Sequence, residues 1–497
     1  MQRSRRQLAK RSRSRPLRRA KLRCTFQTLP NTLIAPLAGL APLAGLLPCA
    51  GLVIFGIVGC LLFPAPATAQ EPWESAPINY VDSTSHDLVA QWLESQATTP
   101  RNDASDETYD AQTGWLPEVL KQLKVPIESQ TMVFSKTSLQ IRKIRPDNPR
   151  ALYFNDDVYV GYVPGGDVIE VSAVDDQLGA VFYLVDQANR NRLTFRREND
   201  QCLSCHATAK TKQVAGYLIR SVYPTRSGHP DYSQGTMTTD HRTPFSKRFG
   251  GWYLTDAAET AVRANRIYKS ATGAEPWELL SQQGEPHFPF ASRVDFQKYP
   301  GRTSDQRALL VLEHQTQGHN LITFANWETR RALEYQVIMN QALDRPADFL
   351  SDSTTRRIQR AAENLADYLL FVDEAELPEL APDSPFQKHF QALGPFDQQQ
   401  RSLRQFHNEG RLFRYPCSYL IYSDAFRALP PMVRRATLVR IFQVVTSQVE
   451  EPRYDFLDQE TRNEIHEILS QTLPEYQELS RELTATDARV TGDSAGP

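Results

Sequence analysis

Cys202-Leu203-Ser204-Cys205-His206 is the stretch of this chain whose residue types and spacing prescribe a definite chemistry. C-x-x-C-H is the attachment pattern of a c-type haem. Thiols three positions apart can add across the two vinyl groups of a porphyrin. The histidine that follows then lies under the iron as the proximal axial ligand. Two other chemistries use a C-x-x-C pair. A dithiol redox site needs no histidine after it, and a structural zinc site wants a second C-x-x-C or a close Cys/His pair. Of the six cysteines, Cys24, Cys49 and Cys60 fall in an N-terminal export region, which leaves only Cys417 beside the pair. The chain is therefore read as holding one covalent haem c on Cys202 and Cys205, with His206 on the iron. Cys417 is read as a buried free thiol that packs as a small hydrophobe.

The sixth iron ligand decides what such a haem can do. His314 shares one helical face with Leu310, Gly318, Leu321 and Ala325, and a glycine one turn away leaves room for a flat macrocycle. His241 sits in Asp240-His241-Arg242, where a neighbouring carboxylate can orient the ring. Met237 follows His206 by 31 residues in a loop, and His/Met ligation would raise the potential. His319 and His287 fit the role less well. Each of these also has a plain structural reading, as a core or surface side chain, and an open sixth position is the remaining alternative. Arg220, Arg242 and Arg248 are the candidates to pair with haem propionates, because guanidinium meets carboxylate bidentately.

The elements that must position these residues follow an address. Met1 to Arg23 carries eleven Lys/Arg and no acid, an apolar run spans about Leu33 to Phe63, and Ala65-Pro-Ala-Thr-Ala69 offers a small-residue cleavage site. Residues 1–69 read as a secretory signal peptide for the Sec route, which places the mature protein in the periplasm or another extracytoplasmic space. A retained membrane anchor and lipidation at Cys60 are the alternatives. Removal of these residues leaves 45 Lys/Arg against 58 Asp/Glu, a formal charge of −13. That acidity argues against nucleic acid as a partner and leaves room for a basic redox protein.

Residues 70–129 read as a loose polar leader with a short amphipathic piece around Asp87 to Leu93. In 130–198, short β-branched and aromatic runs such as Val158-Tyr-Val-Gly-Tyr-Val163 alternate with turn formers, which predicts an antiparallel sheet of about five strands. Residues 199–345 form the haem-binding segment: long Gly- and Pro-rich loops over a haem face, then a helix capped by Ser304. Residues 346–485 read as a helical domain opening at Pro346, and 486–497 as a disordered tail. The fold class expected is α+β.

Several further segments accompany the haem motif: Arg150-Ala-Leu-Tyr-Phe-Asn-Asp-Asp-Val-Tyr-Val-Gly161, Thr239-Asp240-His241, Gly250-Gly-Trp-Tyr253, Leu312-Glu-His-Gln315 with His319-Asn320, and Cys417-Ser-Tyr-Leu-Ile-Tyr-Ser423. With them the chain resembles a family of exported bacterial proteins that carry a single c-type haem, over roughly residues 130 to 445. The resemblance implies a β-rich part before the motif and a helical part after it. After Gly250-Gly-Trp-Tyr253 the family pattern has a glycine and histidines, where this chain has Asp256, Val262 and Ala264. Two functions follow from the haem. The first is a c-type cytochrome exchanging electrons with a redox partner protein. The alternative is a haem enzyme or sensor whose sixth position is open or displaceable, acting on a peroxide, a small oxyanion or a diatomic gas. In a third view the helical part is a docking module.

Overall fold

The structure is a computed structural model, and it describes residues 71–98, 108–258, 260–268, 277–279 and 294–493. The export region and His287 lie outside the described residues. Two helices come first, α1 (Leu88–Thr98) and α2 (Leu116–Gln122). Six strands then form an antiparallel meander: β1 (Thr131–Val133), β2 (Arg150–Phe154), β3 (Val158–Tyr162), β4 (Val168–Asp175), β5 (Gly179–Asp186) and β6 (Phe195–Arg197). Asx turns make two of the connections. Asn155 Oδ1 accepts from the Asp157 and Val158 amides, and Asp175 Oδ1 accepts from those of Gln177 and Leu178, with Gly179 at φ +78° closing the second turn.

The chain leaves the sheet through α3 (Asp200–His206) and a ribbon of β7 (Arg220–Ser221) and β8 (Met237–Thr238). It returns as β9 (Trp252–Tyr253), which pairs with β1 and completes a seven-stranded sheet ordered β6-β5-β4-β3-β2-β1-β9. A hairpin of β10 (Arg266–Tyr268) and β11 (Trp277–Leu279) follows. The rest is helical: α4 (Gln306–Ala342), α5 (Asp352–Leu369), α6 (Pro385–Ala392), α7 (Asp424–Arg427), α8 (Pro431–Val445), α9 (Gln459–Thr472) and α10 (Pro474–Asp493). The fold is α+β. The described residues from 71 onward belong to one compact unit, so the segments 130–198, 199–345 and 346–485 build one core. No helix among the described residues is long and apolar enough to cross a membrane.

Register divides the sheet into two unlike faces. One carries Ala151, Tyr153, Val160, Val171 and Tyr183, all buried. Its cover is the segment read as a loose leader. Trp115, Leu116 and Val119 are buried in the same core, the Tyr80 hydroxyl donates to the Ala180 carbonyl at 2.7 Å, and that of Tyr183 donates to Asp87 at 2.6 Å. A few large side chains, each contributing about 1.5–3 kcal/mol on burial, outweigh the polar composition around them.

The other face presents two cross-strand rows. Phe154, Tyr159, Ser172 and Phe182 stand in one; Leu152, Gly161, Glu170, Leu184 and Arg196 stand in the next. The first row is buried, and Tyr159 there touches α4 through Gln315 and His319. In the second, Leu152 and Glu170 are only half-buried and Arg196 is exposed.

Three boundaries differ from the sequence expectation. Asp305 caps α4 by accepting from the Ala308 amide, whereas Ser304 donates to the Tyr253 carbonyl and accepts from Met132, tying the helix start to β1 and β9. Ser351, five residues after Pro346, caps α5 by accepting from the Thr354 amide. The last helix continues past residue 485 to Asp493.

Candidate haem-attachment site

α3 is seven residues long and holds both cysteines and the histidine. Positions 202 and 205 are i and i+3, neighbours on a helical surface, so their thiols leave on one side. Cys205 is exposed and Cys202 half-buried against the core, and neither is in a disulfide. Burial, with Glu198 and Glu170 nearby, pushes the Cys202 thiol up to about 12, so it rests protonated. Leu203, 2% exposed, anchors the helix to the core.

His206 ends the helix with its ring 4.9 Å from that of Phe182, on the sheet face whose second row stays half-open. Its Nδ1 lies 2.8 Å from the Gly216 carbonyl. A carbonyl only accepts, so Nδ1 carries the proton and Nε2 keeps a free lone pair, the arrangement that outer hydrogen bonds impose on metal-ligating histidines. The Gly216 amide donates back to the His206 carbonyl at 2.8 Å. The turn is held from behind by α4, where Asn320 accepts from the Tyr217 amide at 2.7 Å and donates to its carbonyl at 2.9 Å. A Cβ on Gly216 would fall 2.2 Å from Asn320 Oδ1, so only glycine permits the clamp. Burial, with Arg150 and Arg220 adding to it, lowers the His206 pKa and keeps the imidazole neutral.

Next to the Phe182 row stands the row Leu152, Gly161, Glu170 and Leu184, and Arg150 and Glu170 act electrostatically on His206. Arg150 lies flat across Gly161, where a Cβ would stand 2.1 Å from its guanidinium, and pairs with Glu170 at 2.5 Å. Arg220 also acts electrostatically on His206, and its guanidinium has no hydrogen-bond or ion-pair partner among the described residues. Concavities of about 390 and 230 Å³ lie elsewhere, the first beside Leu120 and Ile127, the second beside Lys212 and Arg242. In the row beside Phe182, Leu152 and Glu170 are half-buried, and Gly161 and Leu184 are buried. Free thiols on one side of a helix, an imidazole with its Nε2 available and an unpaired arginine form a donor set that fits a covalent haem. Among the described residues no group of three His, Cys, Asp or Glu is placed to hold a bare metal ion.

The other sequence candidates are not gathered here. His314 and His241 are buried side by side with their Nδ1 atoms 2.8 Å apart, and His314 Nε2 meets Ser418 Oγ at 2.7 Å. Tyr368 and Phe371 stack on His314. Burial pushes both imidazoles well below their ordinary pKa. The space beside Gly318 is filled by Leu420, which a Cβ would meet at 2.3 Å, so it serves helix packing rather than a macrocycle. Arg248, 2% exposed, is committed to Glu313 at 3.3 Å and to the carbonyls of Thr243 and His241. Arg242 pairs with Asp240 and lies over the Tyr368 ring. Met237 is half-buried and pairs with Ser221, which puts it on the ribbon face opposite Arg220. Of the three arginines, Arg220 alone faces His206.

Reading by residue type missed Gly161, Arg150, Glu170, Gly216 and Asn320. A signal existed for one of them: glycine within a strand marks a close approach, here of the Arg150 side chain. Comparison of the chain with protein-family models, with curated proteins and with solved structures finds no match.

Proposed function

We propose that this protein is an exported c-type cytochrome with one haem covalently held by Cys202 and Cys205, exchanging electrons with a redox partner protein. The observation that carries this is the His206 geometry. Its Nδ1 proton is fixed on Gly216 and its Nε2 is free, at the end of a helix that carries an exposed Cys205 thiol and a half-buried Cys202 thiol. When bound, the haem supplies a one-electron couple at its iron. The chain's own residues do the rest. His206 presents Nε2, Leu152 and Leu184 shield one side, and Arg220 is placed to meet a propionate. Cys205 is exposed, which leaves the site accessible to a redox partner, and the acidic mature chain favours a basic one.

One observation favours the second function as well. His241 and His314 are bonded to each other, and Met237 shares the ribbon face away from Arg220. A sixth position left to an exogenous ligand would make the protein a haem enzyme or sensor for a peroxide, a small oxyanion or a diatomic gas. A spectrum of the reduced protein with and without carbon monoxide separates the two. Sharp low-spin bands unmoved by the gas favour the electron carrier, and a high-spin spectrum that shifts favours the enzyme or sensor. Absence of covalent haem overturns both.

A further inference from the structure

Between α3 and α4 the open sheet face carries a file of buried aromatic rings. From His206 it runs to Phe182 at 4.9 Å, then to Tyr217 at 6.4 Å and Tyr159 at 4.4 Å between centroids. Its two phenols have unlike partners. Ser172 Oγ donates to the Val181 carbonyl at 2.8 Å and to the Tyr217 oxygen at 3.2 Å. Ser172 therefore offers Tyr217 no base. Tyr159 differs. Gln315 Nε2, a pure donor, lies 2.9 Å from its oxygen, and His319 Nδ1 lies 2.8 Å away. With the amide donating to the phenol oxygen, the Tyr159 proton points at His319, which makes Nδ1 the acceptor and places the ring proton on Nε2. That Nε2 is buried and has no hydrogen-bond partner among the described residues. The protein tolerates an orphaned donor, a cost of about 1–3 kcal/mol, to hold an imidazole base against this phenol. Burial pushes His319 down to about 4, so it stands neutral and able to accept.

We propose that Tyr159 and His319 form a proton-coupled redox site, a second one-electron centre beside the haem. On oxidation Tyr159 loses one electron, its O–H bond breaks and an N–H bond forms at His319 Nδ1. The products are a neutral tyrosyl radical and an imidazolium, and total charge rises by the one electron removed. The electron passes by way of Tyr217 and Phe182 toward α3, and the oxidant is a haem held there that a peroxide has oxidised beyond the ferric state, since ferric iron is too weak to take an electron from a phenol. The proposal therefore rests on the attachment reading and on the second function, in which the haem meets a peroxide. Gln315 steadies the oxygen on which the radical forms.

The test uses haem-bearing protein whose covalent haem is first quantified as its pyridine adduct; absence of haem there defeats the attachment reading, whatever the tyrosine does. The same protein is then oxidised by flash-quench with ruthenium tris-bipyridine and a cobalt(III) quencher, and freeze-trapped samples are followed by electron paramagnetic resonance. A tyrosyl signal that outlives those of exposed tyrosines is expected, together with its loss in Tyr159→Phe. His319→Gln keeps a hydrogen-bond acceptor but removes the base, and should cut the yield roughly tenfold or more. Tyr217→Phe should slow formation of the signal without removing it. A long-lived signal unchanged in Tyr159→Phe, or a full yield in His319→Gln, would overturn the proposal.

Discussion

Arg248→Met removes the cation that faces Glu313 in a fully buried pair, both side chains being 2% exposed or less. Arg248 also serves two carbonyls, those of Thr243 at 2.7 Å and His241 at 2.6 Å, and thereby fixes the loop that carries His241 beside His314. Each carbonyl left without a donor costs roughly 1–3 kcal/mol, and breaking a buried ion pair costs roughly 3–5 kcal/mol in all. Against a typical stability of about 5–15 kcal/mol, this variant should be severely weakened. The loss should also depend on pH. Burial raises the Glu313 carboxyl to about 7 from an ordinary value of 4.5, even though Arg248 pulls it down. A carboxyl raised in the folded state contributes stability fully present below 4.5 and lost as pH rises through about 7. Without Arg248 the folded value climbs further, so the penalty grows between pH 5 and pH 8. Urea unfolding at those two pH values, on wild type, Arg248→Met and Arg248→Met/Glu313→Leu, gives the comparison. The double variant should recover the ion-pair part of the loss, because an apolar pair replaces the ions, while the cost of the two carbonyls remains. A penalty below about 1 kcal/mol, or one equal at both pH values, would refute this account of the buried pair.

Cys202→Ala/Cys205→Ala should abolish covalent haem yet shift apoprotein stability by less than about 1 kcal/mol, since neither side chain is fully buried; thermal melts and haem stain read the two effects. Gly161→Val should expel Arg150 from its trough, break its pair with Glu170 and lower haem loading several-fold in a pyridine-adduct assay; full loading would remove this sheet row from the site. Asn320→Ala should free the 216–217 turn and so weaken binding of the iron by His206, giving faster haem loss of iron–histidine ligation under mild acid. In apoprotein, a maleimide should label Cys205 rapidly and leave Cys417 untouched until denaturation, because Cys417 is fully buried and its thiol is pushed up to about 12.

Local patterns in this chain resolved well and long-range assembly did not. Alternating β-branched and aromatic residues between Asp, Asn and Gly turns marked β2 to β5, because period-two burial and Asx turns are written into neighbouring residues. The C-x-x-C-H run announced a chemistry but not the helix α3 that carries it. β9 is two residues long and pairs with a strand far earlier in the chain, Met132 with Tyr253 and Val133 with Trp252, so nothing local could announce it. Trp115 and Tyr80 cover a sheet face from within a polar segment, and composition hid them. The apolar-face pattern of α4 located His314 correctly as inward-facing, but could not say that its neighbour would be His241 rather than an open space. Asn320 was visible only as part of a motif; its task, holding the turn that orients His206, depends on a contact across 103 positions.

The central claim is that Cys202 and Cys205 carry haem covalently, and acid–acetone extraction of the purified protein tests it most directly. The chain would be expressed beside a c-type haem maturation system, extracted, and run on a denaturing gel stained for haem. Colour that stays with the wild-type polypeptide and is absent from Cys202→Ala/Cys205→Ala is the predicted result. Colour that leaves the wild type on extraction, or that persists in the double variant, would contradict it.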